Sequence, residues 1–197
     1  MNPDFEKARQ YVFDRLDNEL ASHFLYHNPA HTRDDVLPAA IRLAGRAGLN
    51  SEAVLLLQTA ALYHDLGYVE RISGHEAVSV RIATETLPGF GYSADQIKRI
   101  GDIIMATKLP QSPKDFLGEL LADADLDVLG RDDFLEKSRL LRLELETQEI
   151  YHTEAEWYGG QLSFLESHAY FTPAARSLRL EQKRKNIQAL KNLLEKC

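Results

Sequence analysis

One cysteine, Cys197, stands at the very end of this 197-residue chain. An internal disulfide is therefore excluded, and neither a cysteine-ligated zinc site nor a cysteine nucleophile is expected. No apolar run approaches the roughly 18 residues that a membrane-crossing helix needs, and the first residues, MNPDFEKARQ, lack a signal-peptide pattern. The chain is accordingly read as intracellular, with the cytoplasm as its expected location. Segments of alternating polar and apolar residues, low-complexity stretches and internal repeats are also missing. A surplus of positive charge is missing too: the formal net charge is −7, which argues against general nucleic-acid binding. A small phosphorylated partner stays compatible with that charge if a metal ion and a few local cations supply the attraction. The basic residues gather at the end, where Ala174 to Cys197 carries Arg176, Arg179, Lys183, Arg184, Lys185, Lys191 and Lys196 against only Glu181 and Glu195.

What remains is helical almost throughout. Apolar positions Phe5, Ala8, Val12, Leu16, Leu20 and Phe24 share one face of a first helix from Asp4 to Phe24. The irregular stretch YHNPAH follows, then a helix from about Thr32 to Ala47 with Pro38 near its start and Gly48 closing it. Ser51 to Gly67, SEAVLLLQTAALYHDLG, is apolar almost all the way round and belongs in the middle of the protein. Ser51 is its expected N-cap and Gly67 the residue just past its end. Further helices are expected from His75 to Leu87, from the capping box Ser93-x-x-Gln96 to Thr107, from Asp115 to Leu129 and from Asp132 to Glu149. A second capping box, Thr153-x-x-Glu156, opens a helix to His168, and Pro173 opens a basic last helix. Its stripe of Ile187, Leu190, Leu193 and Leu194 is expected to pack on the bundle with the charges in water. Short connections join neighbours side by side, so the expected fold class is all-α, a compact multi-helix bundle.

Several ionisable residues stand in apolar surroundings. His64 and Asp65 end the buried helix, His31 precedes another, and Asp125 lies within FLGELLADADLDVLG. A buried carboxylate needs a partner or a metal. Successive helical residues point about 100° apart, so His64 and Asp65 share an ion only if it lies off the helix end. A histidine that merely bonds a carbonyl there is the plainer reading of the dipeptide alone. Two imidazoles and two carboxylates from three helices make a mixed nitrogen and oxygen set suited to Mn, Fe, Co, Ni, Mg or Zn, with coordination positions left for water.

The series His31, His64-Asp65, Asp125 resembles the H…HD…D signature of the HD-domain metal-dependent phosphohydrolase superfamily. YHNPAHTRDDV is similar to the opening of its cyclic-nucleotide phosphodiesterases, LYHDLGY resembles the second ligand's usual context, and LADADLDVLG resembles the usual end of the signature. The resemblance covers about residues 20 to 130. It implies an HD-type metal-binding core over residues 1–130, with residues 131–197 as additional C-terminal helices packed on it, most simply as a single structural domain. It implies that His31, His64, Asp65 and Asp125 hold one divalent metal ion, and that His27 stands where the phosphodiesterases have a general acid. His75, at a helix start, is then a phosphate contact or, in members with two metals, a further ligand. Those members also have a histidine where this chain has Thr107 and Lys108. That departure favours one metal and makes Lys108 a phosphate contact, with Arg33, Arg71 and Arg81 weaker ones of the same kind. Glu70 and Glu76 lie where they could position or deprotonate an attacking water.

The expected activity is hydrolysis of a nucleotide or other small phosphoester by a metal-activated water. Two rivals stay open: a metal-stabilised nucleotide-binding sensor or interaction module without turnover, and a di-iron oxygenase, which the missing histidine disfavours. Neither the substrate nor the physiological metal is written in the sequence, and homo-oligomer formation is left open.

Overall fold

The computed structural model describes residues 2–197, and among them it has nine α-helices and no strand. Helix α1 (Phe5–Glu19) begins where Asp4 accepts a hydrogen bond from the Lys7 amide and buries Ala8, Val12, Phe13 and Leu16. It stops short of the expected Phe24 because Leu20 turns to extended backbone. The chain released there brings the Tyr26 and His27 amides to the Glu144 carboxylate, at 2.8 and 3.0 Å. Asn28 then accepts from the amides of Ala30 and His31, an Asx turn that starts the next element. That element is a six-residue π-helical turn, His31–Val36, leading into α2 (Leu37–Ala47). The widened turn places His31 and Thr32 in the interior. Pro38 occupies the first turn of α2 and Gly48, at φ 67°, closes it.

Helix α3 (Ser51–Tyr63) is the centre, with Leu57, Ala60, Ala61, Leu62 and Tyr63 fully buried and α1, α2, α5 and α6 against it. Its cap is Asn50, one residue earlier than expected, whose side chain accepts from Ala53 N at 2.9 Å. Gly67 does not close the helix in a left-handed conformation. It lies in a short 3-10 turn, Leu66–Val69, where a side chain would meet the backbone oxygen of His75 at 2.0 Å. A glycine here serves close approach. The Ser79 hydroxyl seals that contact, donating to His64 O and accepting from Gly67 N, both at 2.8 Å. Helix α4 (His75–Thr86) is thereby fixed against the end of α3.

Helix α5 (Ala94–Ile104) opens with the expected capping box, α6 runs Phe116–Asp125, and α7 runs Phe134–Glu146. Helix α8 (Glu154–Ser167) opens with the second capping box, and α9 (Pro173–Leu194) starts at Pro173. Helix α9 departs from the expectation of charges left in water. Arg179 makes two 2.7 Å bonds to buried Asp127, which also takes Arg42 at 2.9 Å. Lys183 is 4% exposed and bonds the His168 ring and carbonyl, while Asn186 donates to the carbonyls of Leu129 and Arg131. Asp123 accepts from Phe171 N, Thr172 N and Thr172 Oγ1 at 2.7 to 2.8 Å, tying α6 to the start of α9.

Burial and the neighbouring Lys183 ammonium hold the His168 imidazole down, at about 4. Unfolded, the ring titrates near 6.5, so between those values the unfolded chain binds the extra proton. Stability is therefore lost as pH falls from about 6.5 to about 4. In urea titrations the midpoint of the native protein should fall more steeply across that window than that of His168→Gln; equal slopes would remove the assignment.

Candidate metal centre

Four side chains from three parts of the fold converge at the end of α3. His31 comes from the π-helical turn, His64 caps α3, Asp65 follows it and Asp125 is the last residue of α6. Asp65 has left the helix, with φ −105° and ψ 3°, and this resolves the geometry of adjacent residues. Its Oδ2 comes within 3.2 Å of His64 Nε2 and 3.6 Å of His31 Nε2. Asp125 Oδ1 lies 3.5 Å from both imidazole Nε2 atoms. His64 Nδ1 donates to Ala61 O at 2.9 Å, which turns the Nε2 lone pair inward.

His31 Nε2, His64 Nε2 and Asp65 Oδ2 are all buried and have no hydrogen-bond partner. Buried polar atoms are seldom left so. Here one ligand atom from each residue lies within 4.8 Å of the others, the reach of a shared small cation. The donor set of two imidazole nitrogens and a carboxylate oxygen fits a divalent ion, so His31, His64 and Asp65 form a candidate metal-binding triad.

Beside the triad opens a cavity of about 600 Å³, and Asp65, Asp125, His27, His75, Glu76 and Lys108 all line it. His75 Nε2 stands 3.3 Å from Asp65 Oδ1 and 3.7 Å from Glu76 Oε1. Its Nδ1 bonds Ile72 O at 3.0 Å. Two expected residues do not arrive. Glu70 is turned outward into a 2.5 Å pair with Arg81, and Arg33 lies over the Phe13 ring, 3.6 Å from Asp17. Both are occupied by nearer opposite charges or rings. Arg81 is likewise spent on Glu70 and Glu85, and Arg71 bonds its own loop at Ser73 O.

No family model and no curated protein matches the sequence. Solved structures do match. Bacillus subtilis YpgQ, determined in complex with ADP, superposes with a TM-score of 0.70 at 20% identity, covering 98% of this chain and 94% of that one. A protein from an uncultured Thermotogales bacterium, described as a predicted HD superfamily hydrolase, superposes at 0.65 and 19% identity, covering 98% and 93%. The chain shares the fold of these two proteins. Among the described residues no helix of the bundle is long and apolar enough to cross a membrane.

The electrostatics of the candidate centre favour positive charge at its middle. Burial alone would raise the Asp65 carboxyl, but the facing His64 charge holds it well below the ordinary range. Burial would likewise depress His64 and His31; Asp65 and Asp125 outweigh it for His64, and Asp125, Asp35 and Asp65 for His31, so both are held up. Two carboxylates facing two imidazoles at 3.2 to 3.6 Å are the charge arrangement a cation would complete.

Three further groups went unnoticed in the sequence. Glu144, 1% exposed on α7, meets His27 Nδ1 at 2.5 Å. Burial would raise this carboxyl; the hydrogen bonds and charge of His27 keep it low. Tyr68 is stacked between two imidazoles, 4.6 Å from His27 and 4.0 Å from His75. Asp35 faces His31 Nδ1 at 3.9 Å and is held by Arg131 and Lys137. None of these carries a local signal: Glu144 reads as one more acid in an amphipathic helix, and only the fold brings it to His27.

Proposed function

We propose that this chain is a metal-dependent phosphohydrolase acting on a nucleotide or another small phosphoester. The observation that carries the reading is the convergence of three buried, unpartnered ligand atoms beside an open cavity. The bound ADP of YpgQ, a protein of the same fold, supports a nucleotide. In this reading His31, His64 and Asp65 hold one divalent ion and Asp125 is the fourth ligand. Such an ion supplies a Lewis acid and makes water nucleophilic near neutral pH.

The chain's own residues do the rest. Lys108 and His75 line the cavity as contacts for phosphoryl oxygens, and Glu76, 7% exposed beside His75, positions the attacking water. His27 gives a proton to the leaving oxygen. Glu144 is its positioning residue, holding Nδ1 so that Nε2 faces the cavity, and Tyr68 restrains the ring plane.

The test is a panel of nucleoside mono-, di- and triphosphates, cyclic nucleotides and p-nitrophenyl phosphate offered to the manganese-loaded protein. Metal-dependent product formation is expected. Binding without product from any of them overturns the reading in favour of a sensor.

Replacement of Glu144 by Gln should lower kcat by roughly ten- to a hundred-fold with KM and metal content unchanged. The loss should be largest for substrates with an alkoxide leaving group and small for p-nitrophenyl phosphate, whose leaving group departs without a proton. A uniform loss across both would reduce Glu144 to a structural role.

A further inference from the structure

The wall of the cavity away from the metal triad is a separate piece of construction. Helix α7 presents Phe134, Leu141 and Leu145 to it, positions that share one helical face. An apolar stripe of this kind ordinarily packs on a neighbouring helix. Here it borders open space, and Phe164 of α8 closes the other side. Of the polar side chains on this wall, Lys137 is paired with Asp35, which leaves Ser138 and Gln161.

Their orientation is fixed from behind. The Trp157 indole N–H donates to Ser138 Oγ at 3.1 Å, and Ser138 in turn donates to Gln161 Oε1 at 3.2 Å. Trp157 and Ser138 are both buried, at 6% exposed each. The relay uses the Gln161 oxygen, and among the described residues no group accepts a hydrogen bond from the amide N–H₂ of this cavity-lining side chain.

We propose that this α7–α8 chamber seats the base of a nucleotide whose phosphate lies at the metal end, and that Gln161 selects bases presenting a hydrogen-bond acceptor edge. Substrate class then follows from the wall. Apolar surface and aromatic edges favour an uncharged ring, and the held N–H₂ donates to a keto oxygen or ring nitrogen. A site built to donate loses far more against a ligand lacking the acceptor than apolar walls lose over size. The cavity volume of about 600 Å³ accommodates a ring, a sugar and a phosphate together. This inference deepens the phosphohydrolase reading and rests on it for the placement of the phosphate only.

Trp157 is the only tryptophan of the chain, so its emission reports seating of a ring against the relay. The experiment titrates the manganese-loaded native protein and Gln161→Leu with inosine 5′-monophosphate, whose base carries the O6 and N7 acceptors of a guanine edge, and with ribose 5-phosphate. Native protein should bind the nucleotide at least tenfold more tightly than the sugar phosphate. Gln161→Leu should lose at least tenfold for the nucleotide, and its ribose 5-phosphate affinity and manganese content should be unchanged. Equal native affinities, or a Gln161→Leu protein that keeps the preference, overturn the proposal. Should Gln161→Leu fail to fold, Ser138→Ala takes its place, and a preference undiminished in that variant is equally fatal. Inosine, which has no phosphate, is titrated into chelated protein as well. A Gln161-dependent response there keeps the chamber even if no phosphoester is turned over, and turnover without that response leaves the phosphohydrolase standing and the chamber refuted.

Discussion

An Asp65→Ala protein, purified without chelator and analysed by mass spectrometry for metals, should contain almost no divalent ion where the native protein contains about one per chain. Its hydrolysis of the best phosphoester should fall by at least about a thousandfold. Asp65 is the expected weak point because, among the described residues, it is the only carboxylate whose buried, unpartnered oxygen faces both imidazoles, at 3.2 and 3.6 Å. Without it the two imidazoles face Asp125 alone, too little negative charge to hold a hard cation in a buried place. The fold should survive, since Asp65 makes no hydrogen bond through Oδ2 and its backbone turn is held by Ser79 through the carbonyl of His64 and the amide of Gly67. An Asp65→Ala protein that kept both its ion and its rate would end the metal-centre reading. One that unfolded would be replaced by Asp65→Asn, which keeps the shape and removes the charge.

Helix starts were legible where chemistry is local. Ser93 with Gln96 and Thr153 with Glu156 announce helix starts by themselves, and an imidazole or carboxylate amid leucines announces a partner. Side-chain direction was less legible. Asp123 and Asp125 stand two residues apart in ADAD, and at about 100° per residue they leave α6 on nearly opposite sides. Asp125 faces the imidazoles, while Asp123 is consumed by Thr172 and Phe171. Helical period alone does not tell them apart, because the difference lies in which element covers which side; the resemblance of LADADLDVLG to the signature's end is what singled out Asp125. Glu70 and Glu76 divide in the same way: Glu76 is drawn into the cavity beside His75, and Glu70, on the last turn before the loop, finds Arg81 first. Arg179 and Lys183 looked like solvent charges because their partners, Asp127 and the His168 carbonyl, belong to other helices. Long-range pairing of this kind has no period to detect. It also explains why Glu144, more than a hundred residues from His27, left no trace.

Gly67→Ala should be the most damaging single methyl group that can be added to this chain. The new carbon would stand 2.0 Å from the His75 carbonyl oxygen, 2.8 Å from its carbon and 3.0 Å from Ser79 N, all backbone atoms that no rotamer change can clear. The start of α4 must therefore retreat from the end of α3, or the Leu66–Val69 turn must unwind. Either motion breaks the two bonds of the Ser79 hydroxyl and exposes buried Leu66. Overpacking of this severity together with lost buried hydrogen bonds costs about 3 kcal/mol or more, read as a lower urea midpoint with little change in slope. The same retreat carries His75 away from Asp65 Oδ1 and loosens the stack of His75 on Tyr68. The surviving folded fraction should thus lose activity beyond what its population explains. Gly89, around which a new side chain would meet nothing within 4 Å, is the control: Gly89→Ala should change the unfolding free energy by no more than about 0.5 kcal/mol and leave turnover as it was. If Gly67→Ala proved as mild as Gly89→Ala, the close approach of α4 that holds His75 against Asp65 could not be as tight as described, and the geometry of the cavity floor would have to be redrawn with it.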